Sequence, residues 1–154
     1  MPILMKYPSI TGESELNGKV GFLILGSMAW GVARSSAAVN SGARGDADCR
    51  VEEISISRQM DSVSAMLLSE ALLGRFDRKV EIHLARTGPN RLLTYASYEL
   101  EGCGIISYNM ETGGDVPVER MRLNFTRILF NSYKIDDDLA AVPNSVNYDL
   151  KRGA

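Results

Sequence analysis

The residues that could do chemistry are few and far apart. His83 is the single histidine. Val80, Ile82 and Leu84 alternate with Glu81, His83 and Ala85, which puts His83 beside Glu81 on the polar face of a strand. A base activates a nucleophile only within hydrogen-bond reach, and no Gly-x-Ser-x-Gly turn presents a serine. An exposed or interface histidine is expected. Cys49 and Cys103 are the two thiols. So distant a pair is no disulfide framework. One histidine with two separated cysteines also falls short of the three or four ligands that zinc takes. Two reduced, half-buried thiols are expected. Gly18-Lys19 runs into Val20, not Ser or Thr, and lacks the upstream glycine of a phosphate-binding loop. Gly102-x-Gly104 lacks the third glycine of a dinucleotide fingerprint and reads as a glycine kink. Asp136-Asp137-Asp138 could attract a cation, but without the spaced ligands of a calcium loop it reads as a solvated turn. The sequon Asn124-Phe125-Thr126 lies mid-strand, where a glycan would block pairing. No catalytic, metal-binding or cofactor-binding residue is assigned, and no enzyme is expected.

The elements that would carry such residues are mostly strands. A chain of 154 residues implies one domain, 1–154, large enough to bury roughly 70% of its unfolded surface. Met121, Leu123 and Phe125 alternate with Arg122, Asn124 and Thr126. Ile128 and Phe130 then continue on the other parity. A one-residue slip would turn every side chain over, so a bulge is expected near Thr126 and Arg127, where one strand could serve two sheets. Further strands are expected over Ile3–Tyr7, Gly21–Ala33 (Met28, Trp30 and Val32 on one face), Val51–Arg58 (Ile54 with Ile56) and Ser145–Lys151. Leu92–Leu100 and Ile105–Met110 would flank a break at Gly102-Cys103-Gly104.

One stretch has a different rhythm. From Asp61 to Gly74, Val63, Met66, Leu67, Glu70, Ala71 and Leu73 recur at helical spacing, with Asp61 or Ser62 suited to the N-cap and Gly74 to the C-cap. The expected fold class is mainly β, a two-sheet antiparallel β-barrel with one flanking α-helix.

Seventeen basic against nineteen acidic side chains, net −2, argue against a nucleic-acid binder, which needs a basic stripe. The start, Met-Pro-Ile-Leu-Met-Lys-Tyr-Pro, shows no Sec signal, and no run approaches the ~18 apolar residues of a membrane span. A cytoplasmic start is expected, with any export by a route that reads no N-terminal signal. The stretch from Ser35 to Asp48 is small and polar, and loops of this length are usually disordered or functional. Ser35, Ser36, Ala37, Ala38, Val39, Asn40, Ser41, Gly42, Ala43, Arg44, Gly45 and Asp46 are the candidate residues of an arm that contacts a neighbouring subunit or ring.

Several segments together resemble one family. Met1–Tyr7 followed by Ile10-Thr11-Gly12-Glu13-Ser14 is similar to its first strand and Gly-Glu-Ser turn. Leu25–Val32 resembles the strand that ends in an aromatic-Gly pair, here Trp30-Gly31, before a long loop. Glu53–Asp61 resembles the strand entering a single helix, and Lys79–Arg86 the strand after it. Met121–Tyr133 and Asn147–Lys151 resemble the last strands. These segments span nearly the whole chain in order, and the family they resemble is haemolysin-coregulated protein, Hcp. The resemblance implies a barrel akin to phage tail-tube subunits. It implies homohexameric rings that stack into the inner tube of the type VI secretion machine, inside a contractile sheath and tipped by a spike trimer. It further implies effectors carried in the lumen, and secretion with them. The Ser35–Asp48 loop differs from the glycine-rich loops of many members. The sequence ends at Ala154, so no fused toxin domain is expected. Alternatives are a tail-tube protein of a phage-like injection particle, or a monomeric β-barrel ligand-binding module.

Overall fold

The computed structural model describes residues 1–34, 49–88, 92–134 and 143–154. The Ser35–Asp48 arm, with all its candidate contact residues, and the Asp136-Asp137-Asp138 triplet lie outside the described residues. The described residues form eleven strands, β1 (Ile3–Lys6), β2 (Leu23–Leu25), β3 (Ser27–Ala29), β4 (Val32–Arg34), β5 (Cys49–Val51), β6 (Ile54–Gln59), β7 (Arg78–Thr87), β8 (Leu92–Glu111), β9 (Val118–Asn124), β10 (Arg127–Ser132) and β11 (Asn144–Asp149), and one helix, α1 (Ser64–Leu73).

All strand pairs are antiparallel and build two sheets. Sheet I runs β2-β1-β7-β8-β10-β11, and sheet II runs β3-β6-β9-β8. Three stretches of chain pass from one sheet to the other. β2 becomes β3 across Gly26, whose N–H donates to the Ser57 carbonyl at 2.7 Å. β9 becomes β10 across Phe125 and Thr126, where the change of parity had placed a bulge. Phe125 and Ile128 both stay buried through that change. The third passage is β8. Its first part pairs with β7 and β10 and its last part with β9. The expected break at Gly102-Cys103-Gly104 is therefore a bend inside one continuous strand. Gly102 makes that bend at φ +58, a region that costs other residues their Cβ clearance. A Cβ there would strike the Thr126 side chain. Thr126 in turn bonds the Glu101 carbonyl through both N–H (2.9 Å) and Oγ1 (3.2 Å). Two of the three crossings thus pack on each other.

The expected strand Gly21–Ala33 is three short strands rather than one, because Gly26 and the Trp30-Gly31 pair each redirect the chain. Met28 and Trp30 pack on the core, while Val32 is exposed in the separate β4–β5 ribbon. The alternating residues otherwise face inward as expected. Val80, Ile82, Leu100, Met121 and Leu123 are buried, and Leu84 packs at the core's margin. Each full burial contributes about 1.5–3 kcal/mol.

The helix lies against β8, with Gly74 in the left-handed conformation at its C-terminus and donating to the Glu70 carbonyl. Close approach at Gly104 leaves no room for a Cβ between β8 and the Arg75 carbonyl and Phe76 ring that follow the helix. Neither Asp61 nor Ser62 caps the first helical residues directly. The Asp61 carboxylate accepts from the Val63 N–H at 3.0 Å, and Ser64 Oγ accepts from the Asp61 N–H at 3.0 Å. This reciprocal pair closes the turn just before the helix, whose first flanking residue is Val63.

Candidate functional site

Sheet II presents the most regular face of the molecule. Ile54, Ile56, Met121 and Leu123 point into the core, so the period of two turns their neighbours outward. The register sets these neighbours in two rows across four strands. One is Ala29, Ser55, Arg122 and Ser107; the other is Ser27, Ser57, Arg120 and Asn109. The rows line a shallow depression. Ser27 and Ser57 hydroxyls bond each other at 2.6 Å, and Asn109 Nδ2 donates to Ser107 Oγ at 3.2 Å. Each arginine has its own carboxylate. Arg122 reaches Glu53 at 3.1 Å and Arg120 reaches Glu111 at 3.0 Å. The face is small, hydroxyl-rich and locally neutral. It can make many weak hydrogen bonds to passing groups and offers no long-range field of one sign.

At the base of the arm, β4 and β5 pair in the register Val32↔Val51, Ala33↔Arg50, Arg34↔Cys49. Trp30 fastens this ribbon to the body. Its Nε1 donates to the Glu52 carbonyl at 2.9 Å, and its ring meets Tyr98 edge-on with centroids 5.9 Å apart.

Two clusters of buried charge flank the helix. Arg58 follows Ile54 and Ile56 on the inward parity and is buried. Its guanidinium pairs with the fully buried Glu119 at 3.0 Å and with Asp61. Arg58 Nε and Glu119 Oε1 find no partner. Burial, and then the Glu119 carboxylate, push the neighbouring Tyr108 hydroxyl up to about 12. On the helix, Glu70 accepts from Arg78 Nε at 3.2 Å and Nη2 at 3.1 Å, and from the Tyr7 hydroxyl at 3.4 Å. These groups satisfy one another and position no nucleophile beside a base. Nothing in the spacing marks Glu119 as buried, although Arg58 could have been found from its phase with Ile54 and Ile56.

His83 lies on the outward face of sheet I, opposite Leu4. It is covered rather than exposed, with the Phe22 ring edge-on at 5.7 Å and only Glu81 within reach, at 3.4 Å. Burial, and then the Lys19 ammonium, hold its pKa below the ordinary histidine value. The loop that brings Phe22 there is tied by Gly12 N–H to the Gly21 carbonyl and Ser14 N–H to the Phe22 carbonyl. Both thiols are free. Cys49 is half-buried in β5, whereas Cys103 is fully buried and pushed up to about 12 by desolvation. Among the described residues no cluster of His, Cys, Asp and Glu could hold a metal, and no helix is long and apolar enough to cross a membrane.

The family described as type VI secretion system effector, Hcp, matches residues 4–131. The chain belongs to the Hcp family. Solved structures share its fold. A type six secretion system protein is 16% identical with TM-score 0.82, covering 99% of this chain and 98% of its own. Hcp1 from Salmonella typhimurium is 17% identical with TM-score 0.77, covering 98% and 95%. A type VI secretion system effector from Yersinia pestis is 23% identical with TM-score 0.74, covering 96% and 98%. No curated protein sequence matches this Hcp chain.

Proposed function

We propose that this Hcp protein is the tube subunit of a type VI secretion machine. Six copies close into a ring, and the outward face of sheet II lines the lumen through which small effector proteins are carried. The two rows of small hydroxyl and amide groups with individually paired arginines are what favours this face for the lumen. Such a wall has no bulky side chain to block cargo and no single-sign charge to hold it. The arm from Ser35 to Asp46, rooted on β4 and β5, contacts a neighbouring copy or ring. The spike trimer and contractile sheath are the further partners, and the protein leaves the cell with its cargo. Closing a ring also covers strand edges that would otherwise invite aggregation.

Light scattering on the size-separated protein tests the ring, with negative-stain images of the same peak. A species near six times 16.9 kDa with an open centre is expected, and a monomer at all concentrations would remove the proposal. A gold cluster coupled to Ser55→Cys in a Cys49→Ser background tests the face. Density inside the ring supports it, and density on the outer rim contradicts it. Normal rings and stacks after deletion of Ala37 to Gly45 would dismiss the arm.

A further inference from the structure

Helix α1 carries its polarity the wrong way round. Its one charged residue, Glu70, is buried against Arg78 and Tyr7. Its outward face is Ala65, Met66, Leu68, Ser69, Leu72 and Leu73. Met66 is 52% exposed, Leu72 78% and Leu73 58%, and Phe76 just beyond the helix adds a half-exposed ring. A helix on the surface of a globular domain ordinarily puts charged and polar residues on that side. The expectation that Met66 and Leu73 face the core with Val63 and Leu67 is therefore wrong. β8 and the turn at Arg75–Phe76 leave contact for only one narrow stripe, and Ser64, Leu67 and Glu70 fill it.

We infer that this apolar helix face is an interface with a second copy of the chain. The inference rests on the proposed assembly and deepens it by placing one of its contacts. Three observations carry it. The first is area. The side chains lie at spacings of three and four, so they form one strip. Met66, Leu68, Leu72, Leu73 and Phe76 together expose on the order of 500 Å², near the top of what a monomer typically shows. A stable interface takes about 800 Å² from each partner, so the strip supplies more than half of one side. The second is layout. The strip has no ionisable group at its centre. Arg75 and Asp77, whose side chains are 50% and 80% exposed, stand at its C-terminal margin. An uncharged centre with a polar rim is how interfaces are built. The third is the kind of partner this allows. A strip without charge has nothing with which to hold a nucleic acid or an anionic surface. Apolar area of this extent is the mark of permanent contacts between subunits rather than passing ones. In a closed ring every copy offers the strip once, and one head-to-tail contact repeated around the axis covers all of them.

Leu72→Lys is the test, because a side chain so exposed in the single chain is dispensable to its fold. Mass is measured by light scattering over a range of concentrations for the wild type and the variant, with circular dichroism and melting of both. The expected result is a wild-type ring and a folded variant that stays monomeric, or that needs at least ~10-fold more protein to assemble. A variant that forms rings at the wild-type concentration overturns the inference and leaves the ring proposal standing. A wild type that is monomeric throughout overturns both. Should Leu72→Lys fail to fold, peroxide oxidation of the wild type decides. Met66 is expected to oxidise several-fold more slowly in rings than in protein diluted below assembly, with Met1 as the exposed reference. Equal Met66 rates in the two states would overturn the inference.

Discussion

Two outward faces of the molecule, sheet II and helix α1, turn away from the same core and solve the same problem in opposite ways. On sheet II the inward residues are aliphatic and the outward ones are serine, asparagine and ion-paired arginine. On the helix a carboxylate goes inside and leucine and methionine stay outside. The difference follows from geometry. A strand has two sides, and the pleat commits every second residue to each. A helix of 3.6 residues per turn can leave most of its circumference uncovered, so one packed stripe settles its position while the remaining side chains answer to something else. In a single copy, the sheet face is finished and the helix face is not.

The largest effects should come from charge placed where sheet logic wants a hydrocarbon. Arg58→Met leaves Glu119 buried without its cation and should cost about 3–5 kcal/mol in urea unfolding. Arg122→Met, on the outward face of the same sheet, should change stability by no more than about 1 kcal/mol. Similar costs for both would break the inside-outside distinction. The helix gives a paired test. Leu67→Ala opens a cavity and should cost about 2–5 kcal/mol. Leu72→Ala, five positions along, should stay within about 0.5 kcal/mol for the monomer and act on assembly instead. Gly102→Ala probes the crossing that joins the two sheets. With φ at +58 and Thr126 in the way, it should cost about 1–3 kcal/mol.

Two titrations sharpen the comparison with smaller effects. Cys103 is raised from 9.0 to about 12, so folding favours the neutral thiol. Its contribution to stability is fully present below pH 9 and is lost as pH rises from there towards 12. Denaturant unfolding at pH 8 and pH 10.5 should show a fall that is smaller in Cys103→Ala. His83 moves the other way, since its folded pKa is lowered. Its contribution is present above the ordinary histidine value and is lost as pH falls through the folded one. His83→Gln should therefore lose less stability than wild type between pH 7 and pH 5. An unchanged slope would mean that Phe22 does not cover the ring in solution.

Much of this was legible in the sequence. The parity change after Phe125 placed the β9–β10 crossing within a residue or two, because a strand cannot change faces without an irregularity. The helix and its Gly74 cap were equally plain. Gly102 misled because glycine marks both an end and a bend, and only the partners on either side, β10 and β9, distinguish them. Asp61 was seen as a cap, but it serves the preceding turn because Arg58 also draws its carboxylate. His83 was placed on the correct face, yet its cover comes from Phe22, sixty-one positions earlier, and no local pattern carries that contact. The sheet II face escaped notice because serine and asparagine between aliphatics are ordinary strand alternation. They become a surface only when four strands are in register.

By itself the sequence determined the mainly β class, the one helix, the strand order and the resemblance to Hcp. Those depend on periodicity and local turn chemistry, which neighbouring residues carry among themselves. Tertiary structure alone decided that β8 runs unbroken through both sheets, that Glu119 is buried with Arg58, and that α1 turns its leucines outward. Each depends on which distant surface is already occupied, and burial is a property of contact rather than of residue type.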